Sequence, residues 1–267
     1  MPELDLHGYT VVVTRPEHQA GNLRRLIEAA GGQVILFPTL AIAPSQDPQA
    51  VLTLLQRLAQ FDLAVFISPN AVDYGLRYAA DVGGLPSHLQ IAAVGAGTAR
   101  ALHAAGHPPT LVPEHDFNSE ALLALPALQQ VIGKKVIIFR GEGGREHLAD
   151  TLRSRGAQVQ YVQVYRREKP PVDRAVLLEA WARNGISAIV VTSNESLQNL
   201  YDLVGSEGQA YLRDTLLVLV SQRAVDLAQR LGVQRTPVVA ERAGDDAIVA
   251  ALSNYSVADT AGVKPLR

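Results

Sequence analysis

The chain has 267 residues, 48% hydrophobic and 19% charged, with a formal net charge of −2 and no cysteine. That is enough apolar material for two cores of ordinary domain size. It leaves no global basic field for nucleic acid or an anionic membrane, and it removes disulfides, thiol nucleophiles and thiolate metal sites. Met1-Pro2-Glu3-Leu4-Asp5 has neither the basic start nor the apolar stretch of a signal peptide, and no apolar run reaches membrane-spanning length. A soluble, cytoplasmic protein is expected.

In chain order, an apolar strand from Thr10 to Thr14 runs into Arg15-Pro16 and a helix with apolar positions at Leu23, Leu26, Ile27 and Ala30, which Gly31-Gly32 ends. A strand follows from Val34 to Phe37, then Pro38 to Pro44, an extended stretch bounded by prolines. The strand from Leu63 to Ser68 leads into a helix from about Asn70. The strand from Ile91 to Val94 leads through Gly95-Ala96-Gly97-Thr98 into a helix ending near Gly106. A strand from Thr110 to Val112 precedes a helix opened by Asn118-Ser119-Glu120, and Lys135 to Phe139 begins another such series. Its strands fall near Val159 to Tyr165, Ala188 to Thr192, Leu216 to Val220 and Pro237 to Ala240. Short apolar strands without alternation, separated by amphipathic helices, indicate parallel sheets covered on both faces. The tail from Ser256 to Arg267 is expected to be poorly ordered.

The second series repeats the first. Val11-Val12-Val13-Thr14-Arg15 matches Val136-Ile137-Ile138-Phe139-Arg140 at an offset of 125, and Ala64-Val65-Phe66-Ile67-Ser68 matches Ile189-Val190-Val191-Thr192-Ser193 at the same offset. Several successive units in one register indicate duplication of about half the chain. The connectors do not fall between the copies. Pro38 to Pro44 and Tyr161 to Pro171 each follow the first βα unit of a copy and its next strand, whereas 130–134 has no proline cluster. The expected division is therefore a discontinuous domain of 1–38 plus 170–267, a contiguous domain of 44–162, and linkers at 39–43 and 163–169.

The motifs exclude more than they select. Gly95-Ala96-Gly97-Thr98-Ala99-Arg100 has Arg100 where a dinucleotide fingerprint needs its third glycine, so a tight turn or an anion site at a helix N-terminus fits better. Gly141-Glu142-Gly143-Gly144-Arg145 lacks the Gly-Lys-Ser/Thr of a triphosphate loop; it reads equally as a solvated loop or as a turn presenting Arg145 to a carboxylate. Ser68 and Ser193 occupy matching strand-to-helix turns, where serine caps helices, and neither lies in a Gly-x-Ser-x-Gly elbow. The seven histidines form no metal-ligand pattern. Arg15 and Arg140 follow equivalent strands, as sheet-edge ligand groups or as surface helix-entry residues. Tyr165 either donates a proton to a leaving oxygen or packs a strand edge.

Taken in order, Val13-Thr14-Arg15-Pro16, Phe66-Ile67-Ser68-Pro69-Asn70-Ala71-Val72, Ala93-Val94-Gly95-Ala96-Gly97-Thr98-Ala99, Val164-Tyr165 and Thr192-Ser193 resemble the uroporphyrinogen-III synthase family over nearly the whole chain. The resemblance implies two similar α/β domains, each a parallel sheet flanked by helices in the flavodoxin-like manner. A two-stranded β linker joins them, and the substrate lies in the cleft between them. It implies a cofactor-free, metal-free, monomeric hydro-lyase that cyclises hydroxymethylbilane, a linear tetrapyrrole with eight carboxylates, inverting pyrrole ring D and expelling water. Tyr165 matches the tyrosine that assists loss of the hydroxyl, Gly143-Gly144-Arg145 the glycine-rich turn with its arginine, and Ser68, Thr98 and Ser193 the substrate-contacting hydroxyls. Two positions depart from the family: Asn70 stands where many relatives carry a basic residue, and Ser221-Gln222-Arg223 replaces a Gly-x-x-Thr-Ala form. Hand-over of substrate from the preceding pathway enzyme is a further implied partnership. The readings from other classes are a hinge-linked module that binds a small anion without catalysis and, more weakly, an NAD-linked enzyme.

Overall fold

The computed structural model describes residues 4–260, with side chains to 256. The first copy supplies β1 (Thr10–Val13), α1 (Glu17–Ala29), β2 (Gln33–Leu36), β3 (Ala41–Pro44), α2 (Pro48–Leu55), β4 (Leu63–Phe66) and α3 (Pro69–Ala80). It continues through β5 (Gln90–Ala93), α4 (Ala96–Ala104), α5 (Ser119–Ala124) and α6 (Pro126–Gln129). The second copy supplies β6 (Lys135–Gly141), α7 (His147–Ser154), β7 (Gln158–Glu168), α8 (Ala175–Ala182) and β8 (Ala188–Val191). It ends with α9 (Asn194–Asp214, kinked at Gly205), β9 (Leu216–Leu219), α10 (Gln222–Arg230), β10 (Val238–Val239) and α11 (Asp245–Thr260).

The chain folds into two compact units, Met1–Ala41 with Glu168–Arg267 and Ile42–Arg167. Unit 1 carries the sheet order β10-β9-β8-β1-β2, all parallel, with Val12 paired to Ile35 on one side and to Ile189 on the other. Val11, Val13, Val190 and Val218 face Leu23, Ile27, Ile248 and Leu252 of α1 and α11. Val12, Ile189, Val191 and Leu217 face Leu177, Trp181, Leu197 and Leu200 of α8 and α9. Because both faces are covered, every second residue is as apolar as its neighbour, which is why these strands read as unbroken hydrophobic runs.

Unit 2 carries the order β3-β7-β6-β4-β5, and β6 pairs in parallel with both β4 and β7. Leu63, Val65, Val136 and Ile138 pack on α5, α6 and α7 through Leu122, Leu128, Leu148 and Leu152. Ala64, Phe66, Ile137, Phe139 and Val164 pack on α2, α3 and α4 through Leu55, Val72, Ala79 and Leu102. The Phe66 and Phe139 rings stack at 4.4 Å. Gly75 of α3 makes room for them, since a Cβ there would lie 2.7 Å from the Phe139 ring.

Each sheet thus joins a strand of one copy to the first strand of the other, β8 to β1 and β4 to β6. Numbered from those first strands, both have the 2-1-3-4-5 order of flavodoxin-like sheets, whose switch point lies between the first and third strands. The fifth position in unit 2 shrinks to a single bridge between Leu111 and Ala92, where a strand over Thr110 to Val112 is expected. The stretches read as linkers contain regular strand: β3 lies within Pro38 to Pro44 and hydrogen-bonds alongside the eleven-residue β7. Ser256 to Thr260, expected as loose tail, complete α11. The rest of that expected tail, 261–267, lies outside the described residues.

Candidate active site

Six of the seven nominated residues follow the carboxyl ends of strands, the edge at which open α/β sheets bind ligands. Arg15 follows β1, Ser193 follows β8, Ser68 follows β4, Thr98 lies in the first turn of α4 after β5, and Gly144 and Arg145 follow β6. Tyr165 lies inside β7, level with Gly141 at the end of β6.

The tightest grouping is in unit 2. Ser68 caps α3, its Oγ accepting the Ala71 N–H at 3.1 Å, and the same Oγ lies 3.1 Å from Tyr165 Oη. An oxygen that already accepts from an amide is well placed to donate its own proton to the phenol oxygen, which leaves the phenol O–H free to donate elsewhere. Tyr165 is 1% exposed and Ser68 is half-buried, so the pair opens to solvent on its serine side. The ring lies against Gly141: a Cβ on that glycine would sit 2.6 Å from Tyr165 Cε2 and Cζ. Glu142 N–H donates to the Tyr165 carbonyl at 2.9 Å.

A register shift places the phenol. Gln163 pairs with Arg140, but Tyr165, two residues on, pairs with Gly141, the next residue of β6. Simple alternation would set Tyr165 on the same face as Tyr161, which packs on the α5–α7 side. The extra residue turns Tyr165 into the α2–α4 cluster with Val162 and Val164, as bulges near functional sites re-aim side chains.

Arg140 neither follows its strand nor lies on the surface: it is a buried residue at the carboxyl end of β6. Its guanidinium donates to Glu146 Oε1 at 2.9 Å and to the Gly143 carbonyl, and lies 4.4 Å from the Tyr161 ring centre. The nearby Tyr161 phenol and then Arg140 hold the Glu146 carboxyl below its ordinary range. Burial, and then Glu146, push the Tyr161 phenol up to about 12. Tyr161 Oη is close to that carboxylate yet makes no hydrogen bond of acceptable geometry. Arg145 is exposed and forms no hydrogen bond or ion pair among the described residues.

In unit 1, Arg15 is occupied by an ion pair with Asp245 at the start of α11, and Asn22 Nδ2 also donates to Asp245 at 2.7 Å. Ser193 caps α9 through the Ser196 N–H at 3.0 Å and is exposed. Behind this edge, Thr14 Oγ1 donates to the Val190 carbonyl at 2.9 Å and Asn199 Nδ2 to the Thr39 carbonyl at 2.9 Å, both buried. No side chain caps the N-terminus of α4 at Gly95 or of α10 at Ser221. Sequence reasoning passed over Gly141, Arg140's hold on the turn, and Asp245. Only Gly141 carried a signal, as the first residue of a glycine-rich run after a strand. Among the described residues no group of three or more His, Asp or Glu is placed to hold a metal, and no helix is long and apolar enough to cross a membrane.

Fold and site together define a two-unit α/β protein of flavodoxin-like strand order, with hydroxyl, amide, guanidinium and phenol groups at the carboxyl edges of its sheets. The sequence model of the family described as uroporphyrinogen-III synthase HemD matches residues 21–250. The uroporphyrinogen-III synthase of Escherichia coli K12 is 34% identical over 248 residues, covering 91% of this chain and 99% of that protein. The Salmonella typhimurium protein of the same description is 34% identical over 245 residues, with coverage of 91% and 99%. The chain belongs to the uroporphyrinogen-III synthase family. In fold, a mutant uroporphyrinogen III synthase of Thermus thermophilus matches with TM-score 0.58 at 21% identity, covering 95% of this chain and 99% of that one. The synthetase of Helicobacter pylori matches with TM-score 0.58 at 12% identity, covering 92% and 99%.

Proposed function

We propose that this chain is a uroporphyrinogen-III synthase of tetrapyrrole (haem) biosynthesis, a hydro-lyase that cyclises hydroxymethylbilane with inversion of pyrrole ring D and release of water. Beyond family membership, the observation that supports it is the Tyr165 phenol held between Ser68 and Gly141 beside the switch point of the unit 2 sheet. In this reading Tyr165 donates its proton as the hydroxymethyl C–O bond breaks, and the hydroxyl leaves as water. The resulting azafulvene cation is attacked by the substituted carbon of ring D to give a spiro intermediate. Rearrangement to the inverted ring releases a proton that restores the phenol, so the protein ends as it began. The substrate can close unaided to the uninverted isomer, so holding ring D against the other terminus is the larger contribution. Tyr165 accelerates that closure.

An octa-anion meets a chain of net charge −2, so local groups must bind it: in unit 2 the uncapped amides at the start of α4 near Thr98, the turn at Gly144 and Arg145, and in unit 1 Ser193, with Arg15 available only in exchange for its ion pair with Asp245. The reading includes a monomeric, cytoplasmic protein that needs no cofactor and receives its unstable substrate by hand-over.

The test is incubation with freshly made hydroxymethylbilane and chromatographic separation of the isomers. Isomer III above the spontaneous background is expected. Only uninverted product, at the spontaneous rate, would sink the proposal. Tyr165→Phe should fold and lose about a hundredfold in kcat, the low end of what a positioned general acid contributes; undiminished turnover would remove Tyr165 from the chemistry.

A further inference from the structure

We infer that Arg140 is a positioning residue for the reaction: by clamping the turn over 141–146 it fixes the seat of the Tyr165 phenol and the place of Arg145. The inference rests on the role given to Tyr165 above. The turn is held at both ends, on opposite faces of the sheet. On the α5–α7 face Arg140 reaches back along the turn, with one guanidinium nitrogen donating to the Gly143 carbonyl and another to Glu146 Oε1 at 2.9 Å. Gly144, between those anchors, has φ +109, and a Cβ on it would fall 2.6 Å from Arg140 Nη2. The chain is therefore wrapped around the guanidinium more closely than any side chain at 144 would permit. On the α2–α4 face the first two residues of the turn hold Tyr165: Gly141 receives its ring and Glu142 N–H binds its carbonyl. Loosening 143–146 releases 141–142, and the phenol then loses the surface that sets its distance from Ser68.

Stability alone is a poor reason for this arrangement. Arg140 is 2% exposed, its Nε has no partner, and its counter-ion Glu146 is 54% exposed in its side chain. A charge buried in this way commonly contributes less than a well-packed apolar residue would. What a planar fork adds is two acceptors held at fixed angles, which an ammonium cannot reproduce.

A double-mutant cycle with hydroxymethylbilane separates positioning from general support. Arg140→Gln is expected to lower kcat roughly ten- to a hundredfold in the native background and to have almost no effect on kcat in a Tyr165→Phe background. KM should rise in both, because Arg145 is displaced in both. Amide hydrogen exchange at 142–146 should quicken in Arg140→Gln. Equal proportional losses of kcat in the two backgrounds, or unchanged exchange in the turn, would overturn the inference. If Arg140→Gln does not fold, Glu146→Gln, which removes one anchor from an exposed side chain, goes through the same cycle and is judged by the same outcomes. If the native protein forms only uninverted product, the proposed function fails by itself. Exchange at 142–146 still decides whether Arg140 holds the turn.

Discussion

Gly141→Ala tests the seat of Tyr165 with a single methyl group. Gly141 is not among the glycines in the left-handed region, so alanine meets no backbone objection there. The objection is the ring. The new Cβ would lie 2.6 Å from Tyr165 Cε2 and Cζ and 3.1 Å from Oη, whereas carbon atoms rest at about 3.5–4.0 Å. The ring must therefore retreat by about 1 Å. It is 1% exposed, with Tyr74 tilted against it at 6.1 Å, so it has no solvent to move into. A retreat of that size takes Oη out of reach of Ser68 Oγ, now 3.1 Å away, and Ser68 cannot follow without giving up its cap on α3. Overpacking costs about 1–3 kcal/mol and the lost hydrogen bond about 1 kcal/mol. In catalysis a misplacement of about 1 Å is worth up to about a hundredfold, but the loss cannot exceed what Tyr165 itself contributes. We therefore expect Gly141→Ala to fold with a lowered urea midpoint, and its kcat for isomer III to fall to the level of Tyr165→Phe and stop there. Gly21→Ala is the control. Its Cβ meets nothing within 4 Å in α1, so stability should rise by about 0.5–1 kcal/mol with kcat unchanged. A folded Gly141→Ala protein with native kcat would refute the seat, and with it the steric basis for Tyr165's position.

Two further outcomes are expected. Asp245→Asn removes the partner of Arg15, where both side chains are largely buried at 15% and 17% exposure; a stability lower by about 1–3 kcal/mol in urea unfolding is expected, and an unchanged midpoint would mean the pair holds nothing. The Tyr161 phenol, raised to about 12, is more acid in the unfolded chain, at about 10. Between those values the unfolded state has released a proton that the folded state keeps, so its share of stability is present below pH 10 and is lost as pH rises towards 12. Tyr161→Phe should flatten that part of the alkaline stability profile and remove a phenol titrating near pH 12. An identical profile in the variant would show that Tyr161 ionises normally.

The parallel sheets were legible because strands covered on both faces must be apolar at every position, and β1, β4, β8 and β9 are so over their buried lengths, as is β6 from Val136 to Phe139 before the buried Arg140. β3 was not legible from its own residues, because a four-residue stretch beside prolines looks like any extended connector and becomes a strand only through its neighbour β7; the two-stranded linker was expected only from the family resemblance. The expected strand at Thr110 to Val112 failed for the converse reason: apolar residues are present, but the hydrogen bonds of Thr110 and Leu111 to β5 close a single bridge, at Leu111, and go no further. In the site, the capping roles of Ser68 and Ser193 could be read locally, since a cap and its amide are three residues apart. The face on which Tyr165 lies could not, because it depends on a register shift set by β6. Arg15 looked free in sequence for a similar reason: the carboxylate that occupies it is 230 positions away.

The duplication leads one to expect matching chemistry in the two units, and the residues at the matched turns show why it is not there. Ser68 and Ser193 cap their helices alike, but the Ser68 oxygen meets a phenol, while among the described residues the exposed Ser193 oxygen bonds to Ser196 alone. At the repeat offset, the partner of Tyr165 is Leu40 and the partner of Gly141 is Pro16. Leucine has no proton to give, and proline carries the Cβ that the glycine seat at 141 lacks. β2 also stops at Leu36, where its counterpart β7 runs on through Tyr165 to Glu168. Duplication therefore supplied two frames with similar strand order and similar helix N-termini, of which only one gained a glycine seat, an added strand residue and a phenol. The phenol and its glycine seat thus lie in unit 2, while the carboxyl edge of unit 1 carries helix N-termini, Ser193 and an arginine already paired with Asp245.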